Sequence, residues 1–358
     1  MKALILAGGA GTRLRPITHT GAKQLVPVAN KPILFYGLEQ MAEAGVTEVG
    51  IIVGDTHQEI GAAVGSGERW GLEVTYLHQQ APLGLAHCVL IARDFLGDDD
   101  FIMYLGDNLL RQGVKGLVEG FRDRSGRQGS VAQILLARVP DPQRFGVAEL
   151  NDHGEVVRLV EKPVDPPSDL ALVGVYLFDP TIHEAVAAIS PSGRGELEIT
   201  DAIQWLVDHS HRVRHKVVEG WWIDTGNLAA LLEGNRLILE TVEQRIEGEV
   251  DADSRVEGRV VVQAGAKIIG SVIRGPAIIG EGTRVEQSFV GPFTSIYYGC
   301  EIVRSEVEHS VILEQSSIVD IPRLEDSLLG KQVCVTRSAR RPRANRLMLG
   351  DHSLVDLT

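Results

Sequence analysis

The chain has 358 residues, 44% of them hydrophobic, and a formal charge of −13 at neutral pH. That length exceeds what one core usually supports, so two domains are expected, and the acidic balance argues against nucleic acid or an anionic membrane as a partner because both would repel it. The three cysteines, Cys88, Cys300 and Cys334, are too few and too scattered for a disulfide framework or a metal cluster, and no signal peptide or membrane-length apolar run is seen, which implies free thiols in a cytoplasmic protein.

In chain order, the apolar run Leu4-Ile5-Leu6-Ala7 leads straight into Gly8-Gly9-Ala10-Gly11-Thr12-Arg13-Leu14-Arg15-Pro16. A buried strand ending in such a turn leaves backbone N–H groups open to a phosphate chain, and the arginines that follow add charge, so the pattern points to a nucleotide. Leu14 stands where the dinucleotide fingerprint needs a small residue, and no Gly-Lys-Ser/Thr follows, so neither a dinucleotide site nor a P-loop is matched. A tight strand-to-helix turn is the bland reading of the same glycines. Arg13, Arg15 and Lys23 concentrate cations locally, as an anionic substrate requires of an acidic chain.

Strands are expected over 2–7, 47–53, 72–77, 100–105 and 130–139. Helices are expected from Pro32 to Gly45, over 84–95 and over 113–124. This alternation implies a mostly parallel α/β sheet wrapped by helices, whose ligands sit at the carboxyl ends of strands, where Gly8 and Asp107 fall. Asp107, in Tyr104-Leu105-Gly106-Asp107-Asn108, could hold Mg²⁺ over a triphosphate, although an ordinary Asp turn gives the same pattern. Asp224 ends a second apolar run, Trp221-Trp222-Ile223.

After Gly248 the texture changes to a repeat. Ser254, Ser271, Ser288 and Ser305 are 17 residues apart, as are Val256, Ile273, Val290 and Val307; Val262, Ile279 and Ile296; and Ile268, Val285 and Ile302. Apolar corners six, six and five residues apart predict a three-sided coil with one inward aliphatic per face. Such a coil is expected to drive homo-oligomerisation and to give no group to the chemistry. The arginines of the tail, Arg340, Arg341, Arg343 and Arg346, read as a solvated or internally paired segment.

The string LILAGGAGTRLRP, with KQLVPV and KP after it, resembles the sugar-1-phosphate nucleotidylyltransferases, and within them the glucose-1-phosphate thymidylyltransferases, whose branch the Lys23-Gln24 pair favours. The coil resembles a hexapeptide-repeat left-handed β-helix. The resemblance implies a Rossmann-like catalytic domain over 1–247 and a left-handed parallel β-helix over 248–358, with dTTP and glucose 1-phosphate as substrates. It implies Mg²⁺ on Asp107 and Asp224, and Arg13, Lys23 and Lys162 as catalytic residues. Nucleotide contacts would come from Leu6, Ala7, Gly8, Gly9, Gly11, Thr12, Arg13, Gln24, Gln79, Pro82 and Gly84. Sugar-phosphate contacts would come from Leu85, Leu105, Phe145, Gly146, Glu161, Lys162, Val173, Gly174, Tyr176 and Trp222. The sequence departs from the family pattern at Phe145, often tyrosine, and at Leu83, often polar. Gly195-Glu196-Leu197-Glu198-Ile199-Thr200-Asp201 also matches, with Thr200-Asp201 readable as a helix start. The alternatives are the same transfer from UTP or to another sugar phosphate, an acyltransferase in the coil with His309 or His352 as base, and a non-catalytic regulatory subunit, against which the presence of all five charged residues counts.

Overall fold

Residues 1–9, 11–19, 21–123, 129–337 and 345–356 are described in the computed structural model; Ala10, Arg124, Arg340, Arg341 and Arg343 lie outside the described residues. The chain divides into two units, Met1–Ala10 with Ile33–Asp224, and Gly11–Pro32 with Thr225–Thr358.

The first unit is built on a nine-stranded sheet. Phe101–Leu105, Lys2–Leu6, Glu48–Val53 and Glu73–His78 run parallel side by side, with Ala3 opposite both Ile102 and Val49. Beyond Phe101–Leu105 the sheet turns antiparallel through Leu170–Phe178, which also pairs with Ala132–Arg138 and Gly146–Leu150. Leu4, Ile5, Phe101, Ile102, Met103 and Tyr104 are wholly buried, as central strands covered on both faces must be. The expected helix 84–95 is two helices, Leu85–Ile91 and Arg93–Leu96, because Ala92 between them leaves helical geometry at φ −89°, ψ 2°. The break brings the Phe95 ring onto Gly50, where a Cβ would lie 2.8 Å from it. No helix among the described residues is long and apolar enough to cross a membrane.

In the second unit three parallel sheets of six, six and four short strands wind as a coil, consistent with a left-handed β-helix. The inward columns are Val256-Ile273-Val290-Val307, Val262-Ile279-Ile296-Ile312-Leu329 and Val250-Ile268-Val285-Ile302-Ile318-Val335. The coil therefore continues past the repeats legible in the sequence. The spacing from Ile296 to Ile312 is 16 rather than 17, a deletion absorbed in one corner while the strands keep their register. The serine column has a physical reason: each Oγ accepts the backbone N–H of the next rung, from Ser271 to Ser254 at 3.0 Å, Ser288 to Ser271 at 3.1 Å and Ser305 to Ser288 at 3.1 Å. These side chains satisfy donors at a corner where strand pairing stops.

Candidate active site

The short strands Asn108–Leu110 and Trp222–Asp224 pair antiparallel with Asp224 opposite Asn108, which brings the backbone of Asp107, the residue just before that strand, close to Asp224. Both residues are half-buried. Their donors are oxygens only, and no group of three or more His, Cys, Asp or Glu positioned to hold a metal is found among the described residues. Such a donor set suits a hard cation that completes its shell with phosphate and water.

Asn108, to which the sequence reading gave no role, ties this corner together. It is 1% exposed. Its Nδ2 donates to the Val173 carbonyl at 2.8 Å, its Oδ1 accepts from Trp222 Nε1 at 3.2 Å, and its own carbonyl accepts from the Tyr104 hydroxyl at 2.7 Å. Gly174 lies so close, at φ 78°, that a Cβ there would sit 2.4 Å from Asn108 Nδ2. Trp222 meets Phe145 edge-on at 5.5 Å. An amide between apolar Leu105 and Leu109-Leu110 was the one available signal, since a buried Asn needs several partners.

Glu161 and Lys162 end the strand Val156–Glu161. Lys162 is held at φ 41° with its N–H on the Phe145 carbonyl at 3.0 Å, a left-handed conformation that costs a non-glycine residue about 1 kcal/mol and is typical of functional positions. Glu161 Oε2 accepts from Thr200 Oγ1 at 2.6 Å, while its Oε1 lies 3.6 Å from both Lys162 Nζ and Arg194 Nη2. The helix Ile199–Asp208 does begin at this point, with Thr200 in its first turn, but Glu198 stands at the cap without a side-chain capping bond and the Thr200 hydroxyl serves Glu161 instead. Arg194 is clamped by buried Glu198 through Nε at 3.1 Å and Nη2 at 2.9 Å. Burial, then Glu198 and Glu161, push the Asp201 carboxyl upward. Arg194 was missed in sequence; a lone cation between Gly193 and Gly195 ahead of three carboxylates was its trace.

The segment 79–84 is fastened to the same region. Leu197 N–H donates to the Leu83 carbonyl at 2.7 Å and the Leu197 carbonyl accepts from Ala86 N–H at 3.0 Å. Between these bonds sits Gly84 at φ 102°, ψ 170°, a glycine-only conformation, and a Cβ there would fall 2.3 Å from the Leu197 oxygen. Gly84→Ala is therefore expected to cost about 2–3 kcal/mol through strain and displaced hydrogen bonds, checked as a lowered urea midpoint with an unchanged slope. Gln79 Nε2 donates to the Gly84 carbonyl at 3.3 Å, and Gln79 Oε1 lies 3.7 Å from where a Cβ on Gly8 would be, so the glycine turn and Gln79 are neighbours. Pro82 is exposed and Leu85 half-buried. Leu6, Ala7, Val173 and Tyr176 are buried backing; Tyr176 stacks on Phe178 at 5.9 Å, and burial followed by Glu161 raises its phenol well above the usual range. Gly146 faces Glu161, whose Oε2 lies 3.0 Å from where a Cβ would be, and Leu105 backs Gly174.

In the second unit the glycine turn passes into a 3-10 turn, Thr12–Leu14, so no α-helix follows it as the bland strand-to-helix reading would require. Gly11, at φ 64°, leaves no room for a Cβ, which would meet Lys23 Cβ at 2.8 Å, and its carbonyl accepts from Thr18 Oγ1 at 2.6 Å. Thr12 and Arg13 are exposed, whereas Lys23 and Gln24 are buried in the 3-10 turn Lys23–Leu25. Gln24 Oε1 is a buried acceptor with no donor among the described residues. Of the two coil histidines, His309 gives Nδ1 to Asp326 and keeps Nε2 buried, and His352 stacks on His19 at 5.5 Å. A buried Nε2 offers nothing to an acyl acceptor. Cys88 and Cys300 are buried, which pushes their thiols up to about 12 and about 11, and both are free.

The model of the nucleotidyl transferase family matches residues 2–241. The chain is 60% identical over 358 residues to a glucose-1-phosphate thymidylyltransferase of Streptomyces griseus, covering all of both chains. It is 47% identical over 361 residues to the low-salt glycan biosynthesis nucleotidyltransferase Agl11 of Haloferax volcanii, again over the whole of both. A solved structure from Bacillus anthracis, determined with sucrose, is similar at TM-score 0.61 and 35% identity over 66% of this chain and 94% of that one.

Proposed function

The chain belongs to the nucleotidyl transferase family, and on that premise we propose that it transfers a thymidylyl group from dTTP to glucose 1-phosphate, giving dTDP-glucose and pyrophosphate for deoxysugar biosynthesis in the cytoplasm. The observation that supports the reading is the strand pairing that sets Asp224 opposite Asn108, the residue after Asp107, in the unit that also holds Glu161 and Lys162.

Both substrates are anions. An oxygen of the sugar phosphate must approach the α-phosphorus of the nucleotide against strong repulsion; its new bond forms as the bond to the β-phosphate breaks and pyrophosphate departs. Charge neutralisation and positioning therefore supply the catalysis, and no protein nucleophile is needed. Lys162 holds the attacking phosphate. Arg13 and Lys23 neutralise the triphosphate and the departing pyrophosphate. Gly8, Gly9, Gly11 and Thr12 give the phosphates their approach, while Gln24, Gln79, Pro82 and Gly84 read the base; a glutamine amide matches an imide edge with one donor and one acceptor. Glu161, Gly146, Phe145, Val173, Gly174 and Trp222 surround the sugar. Mg²⁺ on Asp107 and Asp224 would supply positive charge at the reacting phosphates.

Pyrophosphate release with Mg²⁺ and a panel of nucleoside triphosphates and sugar 1-phosphates tests the reading. The fastest pair is expected to be dTTP with glucose 1-phosphate; a faster reaction with UTP would make the enzyme a uridylyltransferase, and none with any pair would end the proposal. Lys162→Ala should raise the KM for the sugar phosphate about 10- to 100-fold, the worth of one charge-assisted contact, with the nucleotide KM nearly unchanged. Equal effects on both would remove Lys162 from its role. Residues 1–247 are proposed to carry the chemistry, with the coil over 248–358 providing homo-oligomerisation, to be read by light scattering of the intact chain and of coil-face variants.

A further inference from the structure

The segment that bears Arg13, Lys23 and Gln24 belongs to the same unit as the coil. Directly after it, Pro27–Val28 and Lys31–Pro32 form a two-stranded hairpin turned by Ala29 and Asn30, both at positive φ, 48° and 60°. This hairpin is fixed by side chains of the helix Leu228–Leu239 and of the coil. The buried Asn235 of that helix accepts the Ala29 N–H through Oδ1 at 2.9 Å, accepts the Ser295 hydroxyl at 2.7 Å on the same oxygen, and donates Nδ2 to the Phe293 carbonyl at 3.1 Å. Asn30 Nδ2 donates to the Ile296 carbonyl at 2.7 Å. Ala29 packs with Leu239, Val261, Ile278 and Phe293 in one small core.

Resting on the nucleotide role proposed above for Arg13 and Lys23, we propose that the coil is the support that positions this loop, with Asn235 as the positioning residue and Asn30 as its second tie. Asn235 touches no substrate. It joins three parts of the unit, the hairpin, its own helix and the coil rung Phe293–Ser295, and all its amide atoms are used. An amide so placed is expensive to replace, because Ala29 and Ser295 are buried and would lose the partner it gives them. A hairpin freed from it would let the 3-10 turn Lys23–Leu25, two residues upstream, wander. The coil then affects catalysis without giving a group to it.

The test uses the full chain and three variants, Asn235→Leu, Asn235→Asp and Asn30→Gly. Asn30→Gly keeps the positive φ and removes only the tie to Ile296, so it decides the matter should Asn235→Leu not fold. The dTTP KM is expected to rise at least tenfold in Asn235→Leu and severalfold in Asn30→Gly, with the glucose 1-phosphate KM within twofold of wild type. Asn235→Asp keeps the acceptor for Ala29 and Ser295 but sets an oxygen against the Phe293 carbonyl, so it is expected to recover only part of the loss seen in Asn235→Leu. Amide exchange, read without substrate, should quicken at Ala29 and spread to Leu25 and Val26, whose N–H groups close the turn onto Ala22 and Lys23. Faster exchange confined to Ala29, an unchanged dTTP KM in Asn235→Leu or in Asn30→Gly, or equal rises in both KM values would overturn the proposal. A wild-type chain inactive on the whole substrate panel would count against the functional reading, and the exchange result would still decide the coupling.

Discussion

Asp107→Asn and Asp224→Asn are each expected to lose at least about 100-fold in turnover, about 2.7 kcal/mol of barrier, with thermal midpoints within a few degrees of wild type. The two residues sit at the ends of paired strands, half-buried and next to Asn108, whose amide already holds that corner in place. Replacing one carboxylate oxygen by an amide preserves shape and removes charge, so the fold should survive while affinity for a divalent cation falls. The deficit should shrink as Mg²⁺ is raised, because the loss is one of binding. Turnover within twofold of wild type for both variants at limiting Mg²⁺ would refute the metal assignment, and a cooperative loss of structure would show that the pair serves the strands instead.

The second large effect is on stability. Ile273 is fully buried, stacked between Val256 and Val290 in one inward column of the coil. Ile273→Asp places a carboxylate in a tube of aliphatic side chains that offers no partner, and the loss of packing adds to the cost, together at least about 4 kcal/mol. The defect should spread, because each rung rests on its neighbours. Burial would raise the new carboxyl's pKa above its unfolded value, so the folded state binds the proton more tightly. Its stability relative to wild type is therefore best below pH 4, the ordinary carboxylate range, and worsens as pH rises through the raised pKa. Denaturant midpoints for Ile273→Asp and Ile273→Asn across pH 4 to 8 check this: the Asp variant should fall further behind as pH rises, and the Asn variant should hold a constant offset. Parallel curves would mean that the column is wetter than its packing indicates.

Much of this was legible in the chain. Gly45, at φ 66°, closes the helix Ile33–Glu43 as expected, and the 17-residue serines and aliphatics predicted both the coil and its register, since one inward residue per side leaves little freedom in how rungs stack. The strand ends carrying Asp107, Glu161 and Asp224 followed from apolar runs stopping at a charged residue. What escaped was long-range. Asn235 and Asn30 are ordinary polar residues in sequence, and only the fold reveals that their amides meet Ala29, Phe293 and Ile296. Thr200 read as a helix start, and a helix does begin at Ile199, but the partner of its hydroxyl, a carboxylate 39 residues away on Glu161, was not legible. Ile312, Ile318 and Leu329 extend the coil invisibly because a single-residue deletion after Val307 breaks the count without breaking the stack.

The central claim is transfer of a nucleotidyl group between two phosphates, and phosphorus NMR of one reaction mixture tests it most directly. With dTTP, glucose 1-phosphate and Mg²⁺, the account predicts a pair of coupled diphosphate resonances from dTDP-glucose growing in step with pyrophosphate, and their reversal on adding excess pyrophosphate. Release of inorganic phosphate with dTDP, or consumption of dTTP without a coupled diphosphate product, would contradict it.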